Sequence, residues 1–306
     1  IENVIDNTNN IPGFLEFFGI ASPVVENGVQ VIENGVPLFG EAREYGIITI
    51  MSTLAWGLGY FGMPQVLLRF MAIRSEKELK TSRRIATVWC VISLITAVVI
   101  GIVGRSLYPV ELITSSDAES IFILMSTKLL PPLLAGCSMA GILAATISSS
   151  DSYLLIASSA FAKNIYQGIL KRDASDDEVM KISRIALITV TIVSIFIALD
   201  ENSVIFTIVS FAWAGFGATF GPIMLFSLFW RRTNLNGAVA GMIGGGAMVF
   251  IWKLLIKPMG GLFGIYELLP AFIFSCILIV IFSLATKEPS NEITAEFDLA
   301  KNQAME

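Results

Sequence analysis

Long apolar stretches separated by short polar segments make up most of the chain after its first 45 residues. Seven of them follow one another, at about 46–73, 85–107, 131–162, 182–199, 204–230, 237–256 and 266–286. Each is long enough to cross roughly 30 Å of hydrocarbon as an α-helix, because a helix rises about 1.5 Å per residue. The pattern predicts an all-α polytopic membrane protein whose helix bundle covers 46–286.

Both ends of the chain are polar. Residues 1–45 are acidic, and the sequence ENGV occurs there twice, at 26–29 and 33–36. The repeat predicts two turns flanked by short extended pieces, in a hairpin or an irregular external loop. Residues 287–306 predict a polar tail with a short surface helix. Because the chain begins with Ile1 inside a polar segment, we expect it to be part of a longer protein.

Composition supports the membrane class and removes several kinds of chemistry. Hydrophobic residues make up 55% of the 306 and charged residues 15%, whereas soluble domains carry about 25% charged residues. The absence of histidine excludes histidine proton relays, histidine metal sites and Ser-His triads. Cys90, Cys137 and Cys276 lie far apart in apolar stretches and are expected to be buried hydrophobic residues. Neither an enzyme nor a nucleic-acid partner is expected.

The distribution of basic residues predicts the orientation. One set of alternating loops holds 15 of the 20 lysines and arginines, including the connector RSEKELKTSRR at 74–84. The positive-inside rule places this side in the cytoplasm. The chain would therefore start outside the cell membrane and end in the cytoplasm.

The stretch AGILAATISSSDS at 140–152 places many hydroxyl groups at membrane depth. Ala145, Ser148 and Ser149 share one helix face, and their oxygens suit half of a site for a small hard cation such as Na⁺. The alternative is that these hydroxyls bond back to their own helix or join neighbouring helices. Asp151 would lie solvated at the cytoplasmic mouth of the helix or pair inside the bundle.

Two further segments combine glycine, aromatic residues and proline. In WGLGYFGMP at 56–64, the glycines make unwinding inexpensive, and Trp56, Tyr60 and Pro64 follow one face. Broken helices inside membranes line solute cavities, although an interfacial aromatic residue with ordinary glycine packing is the alternative. SFAWAGFGATFGP at 210–222 would be either a flexible gate or a close helix contact around a kink.

These motifs resemble the sodium/solute symporter family and, within it, the sodium/proline symporters. The resemblance rests on WGLGYFGMPQVLLRFMA at 56–72, AGILAATISSSDS at 140–152, SFAWAGFGATFGP at 210–222 and SLFWRRTNLNGAVAGMIGG at 227–245. It implies a LeuT-type inverted-repeat fold with thirteen membrane spans, of which this chain would hold the last seven. The helix from about Gly46 would be the broken helix of the second repeat.

The resemblance also implies roles for single residues. Ala145 would donate a carbonyl to sodium, and Ser148 and Ser149 would donate hydroxyl oxygens. Trp56, Tyr60 and Pro64 match positions linked to proline binding, and Arg69 matches one linked to sodium coupling. Both sites would be completed by N-terminal helices of the same protein that this chain lacks.

The expected function is sodium-coupled symport of L-proline across the cell membrane by alternating access. Sodium is the coupling ion, no other cofactor is expected, and membrane lipid surrounds the helices. The alternatives are a sodium symporter for another small organic solute, such as pantothenate, a sugar or a carboxylate, a transporter-like membrane sensor, and a passive channel.

Overall fold

The computed structural model divides the chain into two compact units, each described here by itself. The first unit combines the segment up to Arg43 with Lys77–Ile205, and the second combines Glu44–Glu76 with the chain from Phe206 onward. The structure describes residues 11–200 and 204–303, with the side chains at positions 76, 77 and 303 excepted. Residues 1–10 of the predicted external segment and 304–306 of the predicted tail lie outside the described residues.

Short strands occupy the polar segment before the first helix. They are β1 (Gly19–Ile20), β2 (Val25–Glu26), β3 (Val29–Gln30), β4 (Ile32–Glu33), β5 (Val36–Pro37) and β6 (Arg43–Glu44). Strands β2 and β3 pair antiparallel, as do β4 and β5. The turns between them are the two Asn-Gly pairs of the ENGV repeat, and all four residues have positive φ. Asn-Gly tolerates this conformation, so both repeats form hairpins.

Five α-helices follow in the described part of the first unit. They are α3 (Glu76–Leu107), α4 (Ser115–Ala118), α5 (Ile121–Leu129), α6 (Pro132–Ala160) and α7 (Asp176–Ala198), and a π-helix at Phe161–Leu170 extends α6. Among its described residues, the second unit has six α-helices: α1 (Ile47–Gly59), α2 (Pro64–Met71), α8 (Ile205–Phe229), α9 (Leu235–Ile251), α10 (Leu268–Ala285) and α11 (Asn291–Gln303). Between α9 and α10 the chain continues as a π turn at Trp252–Ile256 and 3₁₀ turns at Lys257–Met259 and Gly261–Gly264.

The helix count agrees with the predicted class. Among the described residues, six helices are long and apolar enough to cross a membrane, and α1 with α2 makes a seventh if this pair, bent by 46°, is one span. The protein is therefore an all-α polytopic membrane protein.

Two differences from the sequence pattern have simple physical causes. Helix α3 begins at Glu76 rather than near 85, because the Glu, Lys and Arg residues of the basic connector are good helix formers. Cys90 and Cys137 are exposed, which corrects the expectation that all three cysteines are buried. Apolar residues on a membrane helix need not be buried in the protein, since lipid is as apolar as a protein core.

Within the first unit, a buried glutamine ties the hairpins to the helical part. Gln30 accepts a hydrogen bond from Arg105 Nη2 at 2.7 Å and donates one to the Leu38 carbonyl at 3.0 Å. Its backbone N–H donates to the Ile113 carbonyl at 2.9 Å. The guanidinium of Arg105 also lies 5.2 Å from the centre of the Phe39 ring. These contacts fix the hairpin segment at the end of α3.

Small residues allow α9 and α10 to pack closely. Gly237, Gly241 and Gly245 are buried along one face of α9. A methyl group on any of them would meet Ser283, Ile279 or Ser275 of α10. Ser275 also donates a hydrogen bond to the Gly241 carbonyl at 2.9 Å. The glycine pattern of the sequence is therefore a helix-packing face.

Helix α11 is held beside the loop between α8 and α9. Arg231 donates to both oxygens of Asp298 at 3.0–3.2 Å. This hydrogen bond raises the pKa of Arg231.

Replacing Asn234 by alanine is expected to destabilise the second unit by about 1–2 kcal/mol, the cost of losing a helix N-cap. Asn234 accepts from the Gly237 N–H at 2.9 Å and donates to the Lys287 carbonyl and Thr286 Oγ1 at 2.7 and 2.8 Å. A lower unfolding temperature of the purified protein would show the effect. Exposed Asn236 on the same turn is the matched control, and equal shifts in both variants would contradict the capping role.

Candidate solute and sodium sites

The break between α1 and α2 lies inside the WGLGYFGMP motif. Helix α1 ends at Gly59, and α2 begins at Pro64. Between them the N–H groups of residues 60, 61 and 62 donate to carbonyls three residues earlier, rather than four as in an α-helix. Pro64 stands at the first position of α2, where its missing N–H costs nothing. The predicted interruption is therefore a real break in the backbone.

Trp56 is the centre of an aromatic stack at the end of α1. Three rings lie nearly parallel to it, with interplanar angles of 11–18°: Phe206 at 5.4 Å, Trp213 at 5.6 Å and Tyr266 at 5.9 Å between centroids. Stacked aromatic pairs contribute roughly 0.5–1.5 kcal/mol each beyond their burial. Trp56 is thus held by packing, and its half-buried ring has a defined orientation.

Trp213 joins the two predicted aromatic residues. Its indole N–H donates to the Trp56 carbonyl at 2.9 Å. Its ring also meets the Tyr60 ring edge to face, with centroids 4.8 Å apart. One residue of α8 therefore contacts both aromatic positions of the broken helix.

Glycines bring α8 against the break. A methyl group on Gly62 would lie 2.9 Å from Gly217 Cα and from Gly221 N, and one on Gly217 would lie 2.7 Å from Gly59 Cα. Helix α8 runs unbroken through Pro222, which is buried. Of the two interpretations of the 210–222 motif, these contacts support the close helix contact.

Tyr266 is positioned by hydrogen bonds and by its neighbour in the chain. Its hydroxyl donates to the Ser210 carbonyl at 2.5 Å, and its N–H donates to Ser52 Oγ at 3.0 Å. The next residue, Glu267, is buried and pairs with Lys257 at 2.8 Å and Lys253 at 3.8 Å. A buried carboxylate needs such partners, because burial without them is costly. These ion pairs hold the segment between α9 and α10, from which the ring of Tyr266 stacks on Trp56.

Hydroxyl groups in the 140–152 stretch of α6 divide into two kinds. Thr146 donates back to the Ile142 carbonyl at 2.9 Å, and Ser152 donates to the Ser148 carbonyl at 3.1 Å. Both follow the alternative in which membrane hydroxyls bond to their own helix. Within the described part of the chain, the hydroxyls of Ser148 and Ser149 make no hydrogen bond, and both residues are exposed on the same face as Ala145. Their oxygens are available for a ligand.

The remaining predicted residues lie at the helix surfaces. Asp151 is exposed on α6, one turn beyond Ser148. Arg69 is exposed in the last turn of α2, where a cation interacts favourably with the helix dipole. In the described residues, no cluster of three or more Asp, Glu, Cys or His side chains could hold a metal ion.

The sequence motifs contained part of this arrangement. Trp56, Tyr60 and Pro64 were recognisable from their spacing, and the structure brings Trp56 and Tyr60 together through Trp213. Trp213 lies in the 210–222 motif, but nothing in that motif indicates its contact with Trp56. The sequence around Phe206 and Tyr266 does not predict their contact with Trp56, because both are simply aromatic residues near the ends of apolar stretches.

The amino-acid sequence is similar to a family of membrane transporters and to several of its members. The model of the sodium:solute symporter family matches residues 18–245. The high-affinity proline transporter of Bacillus subtilis is 40% identical over 85% of this chain and 54% of its own length. The osmoregulated proline transporter of the same organism is 41% identical over 80% and 49% of the two chains. The sodium/proline symporter of Haemophilus influenzae is 39% identical over 82% and 51%.

The chain spans about half the length of the curated relatives that it matches. The family and these relatives are transporters, in agreement with the expectation that the chain is not an enzyme. The family match covers most of the chain and includes the broken helix, α6 and α8. This chain belongs to the sodium:solute symporter family.

Proposed function

We propose that this chain is the C-terminal part of a sodium-coupled symporter for L-proline in the cell membrane. The observation that carries the proposal is an identity of about 40% to proline transporters over more than four fifths of the chain. The broken helix with its oriented Trp56 and the unpaired hydroxyls of α6 support it. Helices of the same protein outside this chain would complete both sites.

In this proposal, Trp56, Tyr60 and Pro64 contribute to the proline site. The ring of proline is apolar and its ammonium and carboxylate are charged, so the solute needs an apolar wall beside polar backbone groups. Backbone groups beside the break between α1 and α2 would face the charged ends of proline, and the aromatic stack would form the apolar wall.

Sodium would bind to the Ala145 carbonyl and to the hydroxyls of Ser148 and Ser149. An ion bound there would favour the outward-open state, and occupation of both sites would permit rocking to the inward-facing state. Each sodium ion moving down 100 mV of membrane potential supplies about 2.3 kcal/mol. Arg69 and Asp151 are proposed to act in coupling or gating at the inner end.

The proposed orientation follows the basic residues. The loops that hold Arg69, the 74–84 connector, Arg231 and Arg232 would face the cytoplasm, and the hairpin segment would lie outside. The polar tail from Lys287 would then be cytoplasmic. The domain boundaries proposed from the sequence are 1–45, 46–286 and 287–306.

Uptake of radiolabelled proline by cells producing the full-length transporter is the test. We expect uptake that falls to the background of control cells when sodium is replaced by choline. Uptake unaffected by this replacement would contradict sodium coupling. No proline uptake, together with sodium-dependent uptake of radiolabelled pantothenate, a sugar or a carboxylate, would support the alternative solute instead.

A further inference from the structure

In the last turn of α1, the carbonyl of Trp56 lacks the usual hydrogen bond from the N–H four residues later. In a regular α-helix the Trp56 carbonyl would accept from the N–H of Tyr60, four residues later. Here Tyr60 donates to the Gly57 carbonyl instead. The Trp56 carbonyl is half-buried at the break, where an unsatisfied backbone group costs free energy.

The indole N–H of Trp213 donates a hydrogen bond to the Trp56 carbonyl at 2.9 Å. The two residues are separated by 157 positions in the chain, so the bond joins α8 to the end of α1. A methyl group on Gly59 would overlap the Trp213 ring, which shows that the ring lies directly on the backbone of the last helical turn. The indole of Trp213 therefore holds the last turn of α1 by its hydrogen bond to the Trp56 carbonyl and by packing against Gly59.

The same ring contacts the side chains that this turn presents. It stacks on Trp56 and meets the edge of Tyr60. Any movement of the indole would change the position of the carbonyl and of both aromatic rings together. The anchor is itself fixed, since Ala214 and Ala218 on the same helix are fully buried in the core of the second unit.

We propose that Trp213 is a positioning residue for the solute site, which holds the end of α1 so that Trp56 and Tyr60 face the solute in a single arrangement. The inference rests on the proposed function for the identity of the solute, but not for the anchoring itself. Without the N–H, the end of α1 would populate other conformations. Apparent affinity falls in proportion to the fraction of molecules in the competent conformation.

The test is Trp213→Phe in the full-length transporter, which keeps an aromatic ring and removes the N–H. We expect the apparent KM for proline to rise about tenfold, the effect of losing one hydrogen bond. The maximal rate per transporter in the membrane and the half-saturating sodium concentration should change by less than about twofold, since the α6 oxygens are untouched. Trp230→Phe, the same change near the end of α8, is the control and should leave KM unchanged.

A second measurement does not depend on the solute. Hydrogen–deuterium exchange of the peptide that contains residues 57–63 should become faster in Trp213→Phe and stay unchanged in Trp230→Phe. If the parent protein does not transport proline, faster exchange in Trp213→Phe would support the anchor and reject the proposed solute. Unchanged exchange, or a lower maximal rate with unchanged KM, would overturn the positioning role.

Discussion

Replacing Gly62 by alanine is expected to abolish proline uptake and to destabilise the transporter by about 3 kcal/mol or more, at or above the upper end for an overpacked core. Gly62 is buried at the break, and a methyl group there would overlap the Phe216 carbonyl. It would also lie 2.9 Å from Gly217 Cα and from Gly221 N. All three obstacles are backbone atoms, which cannot rotate away as a side chain can.

Gly57→Ala is the matched control for this prediction. Gly57 lies in the last two turns of α1. Apart from the backbone of its own helix, no atom of the described residues lies within 4 Å of a methyl group there. Alanine should therefore be neutral or stabilise the helix by roughly 0.5–1 kcal/mol. Proline uptake and the thermal unfolding midpoint are measured for both Gly62→Ala and Gly57→Ala. Wild-type uptake by Gly62→Ala would show that α8 does not lie against the break in the working transporter.

The double variant Ser148→Ala/Ser149→Ala is expected to raise the half-saturating sodium concentration for proline uptake at least about a hundredfold. Each hydroxyl would be an oxygen ligand of the ion, and an interaction with a charged group contributes about 1.5–3 kcal/mol. Two such losses correspond to a hundredfold or more in affinity. Folding should be little affected, because neither hydroxyl bonds to another group among the described residues.

Ser150→Ala removes the same atom from the next residue of α6. Ser150 is also exposed, but it points away from the face shared by Ala145, Ser148 and Ser149. The half-saturating sodium concentration of Ser150→Ala should match that of the parent protein. Sodium-dependent uptake measured over a range of sodium concentrations gives the comparison. An unchanged sodium dependence in the double variant would remove Ser148 and Ser149 from the site.

The class of the protein and much of its chemistry could be predicted without tertiary structure. Apolar stretches of about twenty residues must be helices in a membrane, because no water is present to satisfy their backbone groups. The glycines and the proline of 56–64 predict the break in the same local way, and the structure has it between Gly59 and Pro64. The face shared by Ala145, Ser148 and Ser149 also follows from helical spacing alone.

Local pattern could not decide which hydroxyls of α6 are free. Thr146 and Ser152 bond back to their own helix, whereas Ser148 and Ser149 do not. The choice depends on side-chain rotamers, and the spacing of the residues does not specify them. The burial of the cysteines was predicted wrongly for a related reason, since an apolar residue in a membrane helix can face lipid or protein.

The sequence by itself determined the membrane class, the family, the break in the first span and the oxygen-rich face of α6. Tertiary structure alone decided that Trp213 and Tyr266 meet Trp56, and that Glu267 pairs with two lysines beside them. Helical periodicity specifies which residues share a face, because it is a property of neighbouring residues. Which face meets which depends on close packing between segments more than 150 residues apart, and no local pattern contains that information.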